Sequence, residues 1–233
     1  MRDNLTALLR LQQLADSALP IGGAAHSFGI ESLVDSKLLD VDGIESFFLD
    51  YLDEAAALEA AYCAESCELG GASESKGSLD RWLMLNDELS ARKLARESRE
   101  ASASMGRRFL ELAARVCDLP FLSAAAERVE KSQRQVHLAS SFGFVAGTVG
   151  AEPEIAAAAY IQQSVTTLLS CCQRLLPLGQ TQAQQILWRL KPKIVRAARQ
   201  TAGARPACLS CFSPLLDIAS ARHPALHTRL FIS

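Results

Sequence analysis

Seven cysteines and four histidines are the residues of this 233-residue chain with the widest chemical reach. Cys208, Cys211, His223 and His227 read C-x2-C-x11-H-x3-H, one residue short of a common zinc-finger spacing. Thiolates and imidazoles so spaced could hold a tetrahedral metal. Pro224, however, lies between the two histidines and disrupts the helix that would present them together, so coincidence is the better reading and no metal residues are assigned. Cys63 and Cys67 lie one helical turn apart with no histidine nearby in sequence, and Cys171-Cys172 sits in an apolar stretch. Such cysteines are more often small core residues than ligands. His26 follows a Gly-rich turn and His137 opens a helix-like segment; a lone histidine in either place is more often a hydrogen-bonded structural group. Glu31 shares a face with Ser27 and reads by default as a solvated carboxylate. Arg92, Lys93, Arg96 and Arg99 with Glu97 and Glu100 form either a salt-bridged solvated face or half of a charged partner interface.

Catalytic patterns do not emerge. The segment Gly71 to Gly77 has glycines and a lysine but not in the order that cradles phosphate, and there is no H-E-x-x-H. No serine stands in a G-x-S-x-G elbow. With no nucleophile–base pair visible, the chain reads as a non-enzyme.

The elements that must position these residues are helices. The chain holds 37 Ala and 35 Leu against 18 Val and Ile together, which favours helix over a sandwich or barrel. A net charge of −2 is too even for a nucleic-acid binder that works by field alone, and an apolar fraction of 49% excludes disorder. An odd cysteine count and the lack of an apolar leader point to a reduced, cytoplasmic protein. The longest uncharged run, Ile155 to Gln173, carries too many Gln, Ser and Thr for an ordinary membrane span.

Periodicity and punctuation predict an all-α, single-domain bundle of roughly eight to ten helices over residues 1–233. Asn4 can cap a first helix that stops before the turn at Pro20 and Gly22-Gly23. A short helix over His26 to Ser36 follows, then one long half-buried helix from Asp40 or Asp42 to about Cys67. Residues 69–78 read as a polar loop, followed by helices over Leu79 to Leu89 and Ala91 to Cys117. The seam of that long helix is Leu94, Ser98, Ala101, Met105, Phe109, Leu112 and Val116. Its small half (Ser98, Ala101, Met105) suits close approach of another backbone, a candidate dimerisation surface. Pro120, Gly143, Gly147 and Gly150 read as punctuation. Pro153 starts a helix to Leu176; Pro192 should kink or split the next one after Leu190; Ser213-Pro214 starts the last. Residues 224–233 form a tail.

Leu5 to Glu31, with Pro20, Gly22, Gly23, His26, Ser27, Gly29 and Glu31, resembles the opening of the urease accessory protein F (UreF) family. Four further segments resemble it in order: Arg96 to Gly106 (a helix expected to end in glycine), His137 to Gly143, Arg174 to Gln180, and Pro214 to Ser233 with His223 and a closing Arg-Leu-Phe-Ile-Ser. Ala24 stands where the family usually has an aromatic residue, and Pro224 where it has an acid.

The resemblance implies an all-helical, dimeric, non-enzymatic chaperone. It would bind accessory protein D (also called H), recruit and regulate the GTPase accessory protein G, and support GTP-dependent insertion of nickel into apo-urease. Nickel cation binding and GTP would be handled by the complex, with no cofactor assigned to this chain, and neither nucleic acid nor membrane would be a partner. It further implies a GTPase-facing surface of Gly22, Gly23, His26, Ser27, Glu31, Arg174 and Gln180. His223, Arg229, Leu230, Phe231 and Ser233 would meet accessory protein D/H, since an Arg-flanked Leu-Phe pair at a chain end is poorly buried by a lone monomer. Two other readings stay open: a generic helical scaffold unrelated to urease, and a metal carrier built on the Cys208, Cys211, His223 and His227 pattern.

Overall fold

Small residues decide the central packing. The computed structural model describes residues 4–72 and 77–233, with the side chain of Asn4 left out. Its eleven α-helices are α1 (Asn4–Leu14), α2 (Ile30–Asp35), α3 (Ile44–Asp53), α4 (Ala55–Gly71), α5 (Ser78–Arg92), α6 (Arg96–Cys117), α7 (Pro120–Ser132), α8 (Leu138–Thr148), α9 (Pro153–Leu175), α10 (Gln180–Thr201) and α11 (Pro214–Arg222). No strand occurs among the described residues, so the architecture is all-α.

The α4 sequence AAALEAAYCAESCELGG is apolar or small on every side, and the helix is buried on both faces. One face joins an apolar cluster with α1, α5, α6, α7 and α8; the other joins a second cluster with α2, α3, α9, α10 and α11. Against α8 its backbone comes very close. A Cβ on Gly143 would lie 1.9 Å from the Cys63 carbonyl oxygen, and one on Gly147 1.9 Å from that of Cys67. In return, a Cβ on Gly70 of α4 would lie 2.0 Å from the Phe144 oxygen. Gly143 and Gly147 are therefore contact residues inside a helix, not punctuation. Trp82 stacks on Phe144 beside this contact, 4.5 Å between ring centres, and its Nε1–H donates to the Ser140 carbonyl at 3.3 Å.

Several expected boundaries move. The helix expected from Asp40 to Cys67 is broken at Glu54, where no glycine or proline marks the change, and only α3 is half-buried. The helix expected from Ala91 starts at Arg96, because Lys93 caps α5. It then runs through Gly106, where the resemblance placed its end; that glycine instead lets α6 approach the chain before α8, since a Cβ would lie 2.2 Å from the Val136 oxygen. α10 continues through Pro192 without a split. Pro192 lies on the solvent side, where water can take the carbonyl that loses its N–H partner. Residues 69–71 extend α4, so the polar loop shrinks to 72–77, and its 73–76 portion lies outside the described residues, as does the cap expected of Asn4. Among the described residues α9 alone is long and apolar enough to cross a membrane, and 56% of its most apolar window is buried in the protein.

Candidate functional site

The turn before α2 needs left-handed backbone. Gly22 has φ +88° and Gly29 φ +94°, and a Cβ on Gly29 would also meet the Ser220 backbone nitrogen at 3.0 Å. Gly29 lets the start of α2 pack against α11 at Leu216 and Ser220, and the C-terminal tail closes over the turn. Glu31, at the start of α2, is the hub. Its Oε1 accepts the Leu230 N–H at 2.6 Å and its Oε2 the Phe231 N–H at 3.2 Å. His223, fully buried, reaches Glu31 through Nε2 and Glu97 of α6 through Nδ1, both at 2.8 Å. Both partners are acceptors, so both contacts are complete only when both ring nitrogens carry protons. Arg229 adds a 3.6 Å ion pair to Glu97.

The rest of the tail is pinned by the turn itself. The Ile232 N–H donates to the Ala25 carbonyl at 2.8 Å, and the Ser27 and Phe28 N–H groups donate to the Ser233 carbonyl. His26 Nδ1 and the Ser233 hydroxyl share a 2.7 Å hydrogen bond. Burial, with Arg108 nearby, holds His26 below its ordinary pKa, and Glu97 only partly offsets this. Arg174 from α9 donates to the Ala24 carbonyl at 2.7 Å and covers the Phe231 ring at 4.3 Å. The turn that lacks an aromatic at Ala24 is thus held through its backbone.

The two predicted partner-binding sets therefore meet in one latch. Gly22, Gly23, His26, Ser27, Glu31 and Arg174 lie in or against it, and so do His223, Arg229, Leu230, Phe231 and Ser233. Gln180 stays apart: it is exposed at the start of α10, and among the described residues no hydrogen bond or ion pair joins it to the latch. Two expectations need correcting. Phe231 is 4% exposed, so this chain buries it without a partner, while its apolar neighbours Leu230 and Ile232, 53% and 67% exposed, face outward. Glu31 is buried, not solvated, because it feeds two backbone amides and a histidine. In the α6 seam, Ala101 and Met105 are buried within the chain and only Ser98 keeps partial exposure.

Sequence reasoning missed a trough beside the latch. It encloses about 530 Å³ between the Gly23–Ala24 turn, α4, the α5–α6 junction, α6, α9 and α11. Its floor holds Glu59 of α4, which accepts from the Lys93 ammonium and the Tyr160 hydroxyl. Burial pushes the Glu59 carboxyl up, but Lys93 and Tyr160 together bring it net below its ordinary value. Burial and the Glu59 charge push Tyr160 well up, so it stays a donor. Lys93, read as part of a solvated face, is mostly buried in this pair. One signal was available: Glu59 is a lone carboxylate in an Ala-rich stretch that must be buried all round. Gln163 and Asp217 also line the trough. Nearby, His137 is fully buried, neither ring nitrogen has a hydrogen-bond partner among the described residues, and burial followed by Lys93 lowers it to about 3.

The zinc spacing does not assemble. Cys208 and Cys211 are exposed free thiols, and His223 spends both nitrogens on carboxylates. Among the described residues no group of three or more His, Cys, Asp or Glu could hold a metal ion.

The fold and site define an all-helical protein whose distinctive surface is a pinned tail and turn beside a polar-floored trough. The family profile described as UreF matches residues 38–191. The urease accessory protein UreF of Paenarthrobacter aurescens (strain TC1) is 32% identical over 98% of this chain and 99% of its own length. That of Bacillus sp. (strain TB-90) is 29% identical over 98% and 100%, and that of Haemophilus influenzae 30% identical over 99% and 97%. The chain belongs to the UreF family of urease accessory proteins. It is an accessory protein and not itself an enzyme.

Proposed function

We propose that this accessory protein acts in the cytoplasm as the scaffold of a nickel-loading complex. It binds accessory protein D/H, recruits and regulates the GTPase accessory protein G, and so supports GTP-dependent incorporation of nickel into apo-urease. The observation that supports this most is the latch. Residues assigned separately to two partners are bonded into one surface, so engagement of one partner acts on the surface offered to the other. Leu230, Ile232 and Arg229 supply the outward edge for accessory protein D/H. Gly22, Gly23, Arg174 and Gln180 supply the part open to the GTPase, while His26, Ser27 and Glu31 hold the backbone behind it.

Co-expression of the apo-urease operon with and without this gene tests the proposal. Urease nickel content and activity should fall sharply without it; full nickel loading in its absence overturns the reading. A homodimer is part of the proposal. Since Ala101 and Met105 are buried in one copy, its contact lies outside that seam, and Ser98→Leu should leave the dimer intact in size-exclusion light scattering. Dissociation by that change returns the interface to the seam.

A further inference from the structure

The trough offers recognition capacity that the chain does not use itself. Its cations are engaged: Lys93 with Glu59, Arg92 with the Ala207 and Leu209 carbonyls at 3.2 and 2.7 Å, and Arg174 with Ala24. Its acceptors are not all engaged. Gln163 is 8% exposed and its Oε1 is buried with no hydrogen-bond partner among the described residues. Asp217, half-buried on the α11 wall, makes no side-chain hydrogen bond or ion pair among the described residues; the cation whose charge reaches it, Lys93, is bonded to Glu59 instead. The walls between them are apolar, with Leu58, Leu89, Met105, Leu138 and Leu216. Leu94, part of the trough lining, is 72% exposed, and Phe212 and Leu215, next in the chain to the lining residues Cys211, Ser213 and Leu216, are 78% and 51% exposed.

This distribution selects an occupant. A buried acceptor and an unpaired carboxylate call for a donor and a cation, since an anion or a second acceptor would leave both unsatisfied. The volume suits several apolar side chains. A compact small molecule would fill it yet leave Leu94, Phe212 and Leu215 bare, whereas a polypeptide covers trough and rim together. We infer that the trough receives a segment of a partner protein in which apolar side chains flank a Lys or Arg, the cation meeting Asp217 and an N–H donating to Gln163. The inference rests on the scaffold reading, in that the partner belongs to the maturation complex. It adds a second docking site, separate from the outward edge of the latch.

The test uses the full chain co-expressed with its urease operon, with a photo-crosslinking residue in place of Leu94 and the captured peptide read by mass spectrometry. The expected product is a peptide from another operon protein with a Lys or Arg beside apolar residues. Asp217→Lys should weaken recovery of that protein about tenfold, and Ser164→Trp, which fills the trough, should weaken it at least as much. Thermal unfolding checks that both variants fold; if Ser164→Trp does not, Asp217→Lys on the half-exposed wall carries the measurement. An assembled complex in which Leu94 captures nothing, a second copy of this chain or an acidic peptide overturns the trough inference and leaves the scaffold reading standing. So does recovery unchanged by Asp217→Lys. Operon proteins that fail to assemble with this chain at all overturn both.

Discussion

The α4–α8 contact and the tail latch both hold distant segments together, but by opposite means. Between α4 and α8 the determinant is missing atoms: Gly70, Gly143 and Gly147 leave room for carbonyl oxygens about where a Cβ would stand. In the latch the determinant is added atoms, with one carboxylate, one imidazole and a row of backbone N–H groups joined across a sequence separation of up to 207 residues. A steric contact of backbone on backbone has no alternative geometry, because interiors do not deform continuously. A contact of hydrogen bonds between a tail and a turn can open locally and close again, at a cost well below that of unfolding. The helical core is thus suited to be permanent, and the latch to be the part that partners act upon.

The comparison breaks first, and with the largest effect, at Gly143. Gly143→Ala pushes a methyl group onto the Cys63 carbonyl, and should cost about 3 kcal/mol or more in urea unfolding, at the upper end of overpacking costs. A loss under about 1 kcal/mol would show that α4 and α8 can part, and that the core contact is as adaptable as the latch. Glu31→Ala comes next. It strips His223 and two amides of their shared acceptor and should cost about 1–3 kcal/mol, the larger part of it local. Amide hydrogen exchange at Leu230 and Phe231 should speed up while α4 and α8 amides stay protected. Exchange that accelerates everywhere would mean that latch and core form one cooperative unit.

Acid sharpens the same contrast. His137 has a folded pKa of about 3 against an ordinary 6.5, so between those values the unfolded chain binds a proton that the folded chain does not. The stability contributed by this histidine's neutral burial is therefore complete above about 6.5 and is lost as the pH falls toward 3. His26, also lowered, acts in the same direction, as does Glu59 below the ordinary carboxylate range. His137→Phe should reduce the slope of stability against pH between 6.5 and 4.5 without abolishing it, since His26 remains. An unchanged slope would remove His137 from the account. The smallest effect concerns α10: Pro192→Ala restores an N–H on the solvent side and should raise stability by about 1 kcal/mol, part of the ~3 kcal/mol intrinsic difference. A loss instead would show that the helix needs the proline for its course along α9.

Much of the secondary structure was legible because its signals are local. Pro153 and Pro214 sit at first helical positions, and the apolar periodicity of α9 carries the helix to its expected end. The break at Glu54 was illegible: neither flank carries a breaker, and the Glu54 carboxylate finds its partner, the Phe212 N–H, 158 residues away. The glycines of α8 were visible but misread, because a glycine that ends a helix and one that admits a neighbouring backbone look alike until the neighbour is known. In the candidate site, the residue types were legible in Gly22, His26, Glu31, His223 and Phe231, but their joining was not.

By itself, the sequence determined that this protein is helical, where helices such as α1, α9 and α11 begin and end, and which segments carry the family's pattern. Those properties follow from capping, proline geometry and apolar spacing, all of which act within a few residues. Only the tertiary structure decided that Glu31 lies buried between His223 and the tail, that Lys93 closes on Glu59, and that Gln163 and Asp217 face a shared trough. A carboxylate does not encode which cation or amide will reach it; that depends on where separate helices come to rest, and here their rest positions are set by glycines that let backbones touch.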